Sequence, residues 1–97
     1  MESDIQDEAR INEFKENLID ANPEAMLCDG LDFALIGVAR RKMSDPLAAY
    51  SVKKILDAYM NEGMEYEEAR EYFEFNVVDA LVGSGTPVFV EDEEWDE

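Results

Sequence analysis

The chain has no histidine, and its 97 residues include one cysteine, Cys28. Without histidine, a nucleophile activated by an imidazole base is excluded. With one cysteine and no histidine, a zinc site of the usual Cys/His kind is excluded too. Cys28 has no partner for an intramolecular disulfide, and its expected role is that of a small buried hydrophobe. Basic residues are scarce: eight Lys and Arg stand against 25 Asp and Glu, for a formal net charge of −17. Such a charge disfavours nucleic acid and anionic membranes as direct partners and favours basic protein surfaces. No apolar run approaches the roughly 20 residues a membrane-spanning helix needs. The start, Met1-Glu2-Ser3-Asp4, lacks the basic and apolar regions of a signal peptide, so a cytoplasmic location is expected.

Other chemistry is missing as well. Gly83-Ser84-Gly85-Thr86 has Pro87 where a phosphate-binding loop would open a helix, and it reads better as a helix stop and turn. No twelve-residue calcium loop is present. Carboxylate pairs abound, so acid–base chemistry by carboxylates alone stays open by residue type. Among 25 acids, however, no single pair is informative. The expectation is a binding protein rather than an enzyme, with no cofactor and no metal.

Hydrophobic residues make up 46% of the chain, including five Phe and four Tyr, which is too apolar for a disordered acidic segment. The expected organisation is one acidic α+β domain over residues 1–90 and an acidic, flexible tail over 91–97 that holds the only Trp, Trp95.

Residues 4–20 read as an amphipathic helix capped by Ser3 with Gln6 in the capping-box position. Its apolar stripe is Ile11, Phe14, Leu18 and Ala21, with Asp7, Glu8, Glu13, Glu16 and Asp20 mostly away from it. Asn22-Pro23 ends it. Residues 33–39 are short, apolar and bounded by turn signals, as in a buried strand. Residues 47–50 fit either a return strand or a helix starting at Pro46. Ser51 caps a helix over 52–62 that presents Val52, Ile55, Leu56 and Tyr59 on one face, and Gly63 stands at its C-terminal stop.

A further helix is expected over 66–82, with Tyr66, Ala69, Phe73, Val77, Ala80 and Leu81 inside. Glu67, Glu68, Glu71 and Glu74 lie on its other side. Phe75 and Val78 fall on the glutamate side, so either the second half is buried all round or these two mark a contact surface. Thr86-Pro87-Val88-Phe89-Val90 reads as a short strand, and Pro87, which cannot donate to a ladder, is expected first in the strand or on an edge. The predicted architecture is about three helices on a small two- or three-stranded sheet.

The charge is uneven along the chain. Residues 1–32 carry net −8, residues 33–56 net +4, and residues 57–97 net −13. The basic island is Arg40-Arg41-Lys42 with Lys53 and Lys54. Its simplest role is to neutralise acids of the same domain, and the alternative is contact with phosphate or an acidic partner.

Ala34-Leu35-Ile36-Gly37-Val38, Tyr66-Glu67-Glu68-Ala69, Tyr72-Phe73-Glu74-Phe75-Asn76-Val77 and the closing Gly83-x-x-Thr86-Pro87 follow one another in the order and spacing of a family of small bacteriophage proteins. The chain resembles that family over roughly residues 32–90. The family has no assigned activity, so the resemblance implies an origin, a phage product in a bacterial host cytoplasm, and no site residue.

Two functional expectations follow. In the first, the carboxylates of Glu67, Glu68, Glu71 and Glu74, helped by Glu13, Glu16 and Asp20, imitate a nucleic-acid backbone and inhibit a basic, nucleic-acid-handling host protein. In the second, the chain is a structural or regulatory protein that self-associates through Phe75 and Val78. Against both stands the plainer role of the acids as solvated helix faces.

Overall fold

The computed structural model describes the backbone of residues 2–92 and the side chains of residues 8–92. The tail beyond residue 92, the Ser3–Gln6 capping box and the Asp7 side chain lie outside the described residues.

The fold is α+β, with three helices and a three-stranded mixed sheet. Helix α1 (Glu2–Ala21) presents Ile11, Phe14 and Leu18 inward, and Leu18 is fully buried in the core. Ala21, expected on this stripe, is exposed in the last turn. The helix is stopped by Asn22. Its buried side-chain amide donates to the Pro46 carbonyl at 2.9 Å, and its side-chain oxygen accepts from Glu24 N at 3.1 Å. One residue thereby ends α1 and ties it to the start of a strand 24 positions away.

The apolar run after Asp29-Gly30 begins as a 3-10 turn over Asp32–Ala34 and becomes strand β1 (Leu35–Ala39) only afterwards. The expected strand start at residue 33 is therefore two residues early. Strand β2 (Leu47–Ser51) returns antiparallel to β1, with Val38 opposite Ala48 and Ala39 opposite Leu47. This decides between the two assignments for residues 47–50: they are strand. Ala48, Ala49, Tyr50 and Ser51 are all buried because β2 is the central strand, covered on both faces. Small alanines suit such a position despite their low strand propensity.

Ser51 then caps α2 (Val52–Asn61), its hydroxyl accepting from Lys54 N at 3.1 Å. Val52, Ile55 and Leu56 are buried, as their spacing predicts. Gly63, at φ 112°, takes the left-handed conformation that closes the helix.

The next helix departs from expectation. Helix α3 (Tyr66–Phe73) stops at Phe73 and continues as a π turn over Glu74–Val78, in which Asp79 N donates to the Glu74 carbonyl at 2.9 Å. The wider i→i+5 spacing of the π turn shifts the residues after Phe73 around the axis. Val77 and Val78 both pack against the core, while Phe75 is left 65% exposed. Val78 therefore does not share a surface with the glutamates, and Ala80, expected inside, is exposed. Strand β3 (Val88–Val90) lies at the sheet edge directly after Pro87 and runs parallel to β2, with Tyr50 opposite Phe89.

The core is one cluster in which Tyr50, Phe73 and Phe89 meet. The Phe73 and Phe89 rings are edge to face with centroids 5.2 Å apart. The Tyr50 hydroxyl accepts from Cys28 N at 2.9 Å, and burial pushes its pKa up to about 12. Cys28 is buried as expected, and burial raises the pKa of its thiol.

Candidate functional site

Glu67, Glu68, Glu71 and Glu74 are all exposed on α3 and its continuation. None of them has a cation within 4.0 Å among the described residues, whose ion pairs are Lys15–Asp32, Lys53–Asp57 and Arg70–Glu91. The inward residues Ala69 and Phe73 hold this helix against α2 and leave the glutamates to water. From Glu67 to Glu74 the axis advances about 10 Å at the α-helical rise, roughly one carboxylate per 3.5 Å. One strand of duplex DNA presents a charge about every 3.4 Å of axis.

Glu13, Glu16 and Asp20 are also exposed and outside any ion pair among the described residues. They sit on a different part of the molecule: α1 packs chiefly on β1 and β2, whereas α3 packs on α2. The two acidic rows expected to act together are carried by helices that pack chiefly on different elements, and the α3 row is the denser.

The basic island does not neutralise those acids by pairing. Arg40, Arg41 and Lys42 lie exposed on the loop between β1 and β2 and form no ion pair among the described residues. Lys54 is likewise exposed and outside any ion pair among the described residues. Lys53 follows the expected internal role, with Asp57 one turn along at 2.9 Å. The reason is local. The connection between β1 and β2, residues 40–46, carries three consecutive bases in solvent, and the only acid on that loop is Asp45.

Two residues assigned in advance to the tail have structural work instead. The Asp92 carboxylate accepts from the Ser51 hydroxyl at 2.6 Å and from Lys53 N at 3.0 Å, at the first turn of α2. Desolvation opposes its charge, but these hydrogen bonds and the Lys53 charge outweigh that and hold its pKa below the ordinary 3.8. Glu91 accepts from Arg70 at 2.7 Å and so ties the end of β3 to α3. Neither contact has a local signal in sequence, since the partners are 41 and 21 residues apart.

Sequence reasoning also missed an open cleft of about 600 Å³ between α1, the 3-10 turn, β1 and the start of α2, lined by Arg10, Phe14, Phe33, Ile36 and Lys54 among others. Among the described residues no group of three or more Cys, Asp and Glu is arranged to hold a metal ion, and no helix is long and apolar enough to cross a membrane. No family model matches the chain, and no curated protein or solved structure matches it either.

Proposed function

We propose that this chain is a non-catalytic acidic binding protein, a phage-type product of the bacterial cytoplasm, that inhibits a nucleic-acid-handling host protein by imitating nucleic acid. The observation that carries this reading is the α3 row: four exposed carboxylates, outside any ion pair among the described residues, at close to the mean charge spacing of one DNA strand. A carboxylate satisfied by an internal Lys or Arg would have little attraction left for a partner. These four keep theirs, and the net charge of −17 steers them toward basic surfaces. The mechanism is competition, with the glutamate row occupying the basic groove in place of phosphates.

The test is capture from bacterial lysate on the immobilised chain, with elution by salt and, separately, by duplex DNA. The reading expects a nucleic-acid-binding protein that is retained at low salt and released by both. A partner held through high salt and indifferent to DNA would refute it.

One observation favours a second reading. Phe75 stands out from the π turn, with most of its ring in water and no core role. Self-association through Phe75 alone, without Val78, would then be the activity. Phe75→Ala would convert an oligomer to monomer in sedimentation, and a monomeric parent protein would dismiss this reading.

A further inference from the structure

We propose that the cleft between α1 and β1 is a binding site for a small amphiphilic anion, an apolar body carrying a single carboxylate. Its volume, about 600 Å³, lies within the usual range of small-molecule sites. Its walls include Phe14, Phe33 and Ile36, and the last two are 45% and 40% exposed although the apolar run that contains them reads as buried. Phe33 lies in the 3-10 turn rather than in the strand, and Ile36 lies on the outward side of β1.

Charge selects the ligand. Arg10 and Lys54 both line the cleft, and neither has a carboxylate within 4.0 Å among the described residues. The Arg10 guanidinium lies 5.9 Å from the centre of the Phe14 ring, which places the cation against the apolar wall. Two acids, Glu8 and Asp32, share the lining, but the charge of Asp32 is taken up by Lys15 at 2.8 Å. Among the described lining residues, Arg10 and Lys54 stand against one carboxylate outside an ion pair, that of Glu8, and this balance is locally positive in a chain of net −17. Apolar walls with these two cations among them match one carboxylate on a hydrocarbon body. They do not match a polyanion, which the rest of the molecule repels.

The global field and the local site predict opposite preferences, which makes the test decisive. Amide chemical shifts of the full chain would be followed during titration with octanoate, 1-octanol and octylammonium. The proposal expects octanoate to bind most tightly, with shifts centred on residues 32–36 and on Arg10 and Lys54. The double variant Arg10→Gln, Lys54→Gln should weaken octanoate about fivefold and leave octanol nearly unchanged. Phe33→Asp should weaken both. Octylammonium binding best, or shifts scattered over the surface, would overturn the proposal. So would a double variant that loses octanol and octanoate equally, because the cations would then be structural only.

Discussion

Asp92 shows how far one carboxylate can reach. It follows the last strand, yet its two oxygens close the first turn of α2 through Ser51 and Lys53 N. A lowered pKa in the folded state means the ionised form is the one that stabilises. The stability it contributes is present above the unfolded value near 3.8 and is lost as pH falls through the lower folded value. Asp92→Asn should therefore melt below the parent protein at pH 6, and the gap should close as pH falls below 3.8 and through the lower folded value. A gap that persists unchanged to pH 2 in a thermal melt series would show that the charge plays no part. Gly85 is a second residue with a fixed role. A Cβ there would run into the backbone carbonyl of Glu24, in a segment held by Met26 N donating to the Gly85 carbonyl at 2.9 Å. Gly85→Ala should cost about 1–3 kcal/mol in chemical denaturation, because backbone cannot step aside as a side chain can.

Among the elements, α2 was the most legible from sequence and the chain after Phe73 the least. Ser51, the spacing of Val52, Ile55, Leu56 and Tyr59, and Gly63 all act within a few residues of one another, so local pattern was enough. The helix expected over 66–82 departs from its single period because the π turn over Glu74–Val78 changes the period partway. The strand expected from residue 33 started late because the 3-10 turn spends two apolar residues before pairing begins. The hairpin choice at residues 47–50 could not be settled locally, since alanines are good in helices and become strand here only by pairing on both sides. For the candidate site, the exposure of the α3 glutamates was readable from periodicity. The isolation of Arg40, Arg41 and Lys42 and the recruitment of Glu91 and Asp92 depend on tertiary approach, which spacing does not encode. The π turn makes a direct prediction. Phe75→Ala should change stability by no more than about 0.5 kcal/mol, whereas Val78→Asp should destabilise by about 2 kcal/mol or more by burying a charge against the core. Equal losses in urea titrations would mean that the two side chains share one environment.

Across the whole molecule, a charge of −17 on 97 residues is a standing electrostatic load on the folded state, and the ion pairs among the described residues are three. Screening should relieve it. The melting temperature should rise between about 10 mM and 0.5 M sodium chloride, as the Debye length falls from about 30 Å toward 3 Å. A melting temperature that falls with salt would mean that attractive pairs dominate. A repulsive surface of this kind is a cost for a protein that only has to fold, and it becomes useful when a basic partner supplies the missing counter-charge. The α3 row is where that exchange is centred in this account. The most direct measurement is the affinity of a captured partner for the parent chain and for the triple charge reversal Glu67→Lys, Glu71→Lys, Glu74→Lys, with circular dichroism confirming that the fold is retained. The account predicts a loss of about a hundredfold or more, together with a flatter salt dependence. Undiminished binding by the folded triple variant would contradict it.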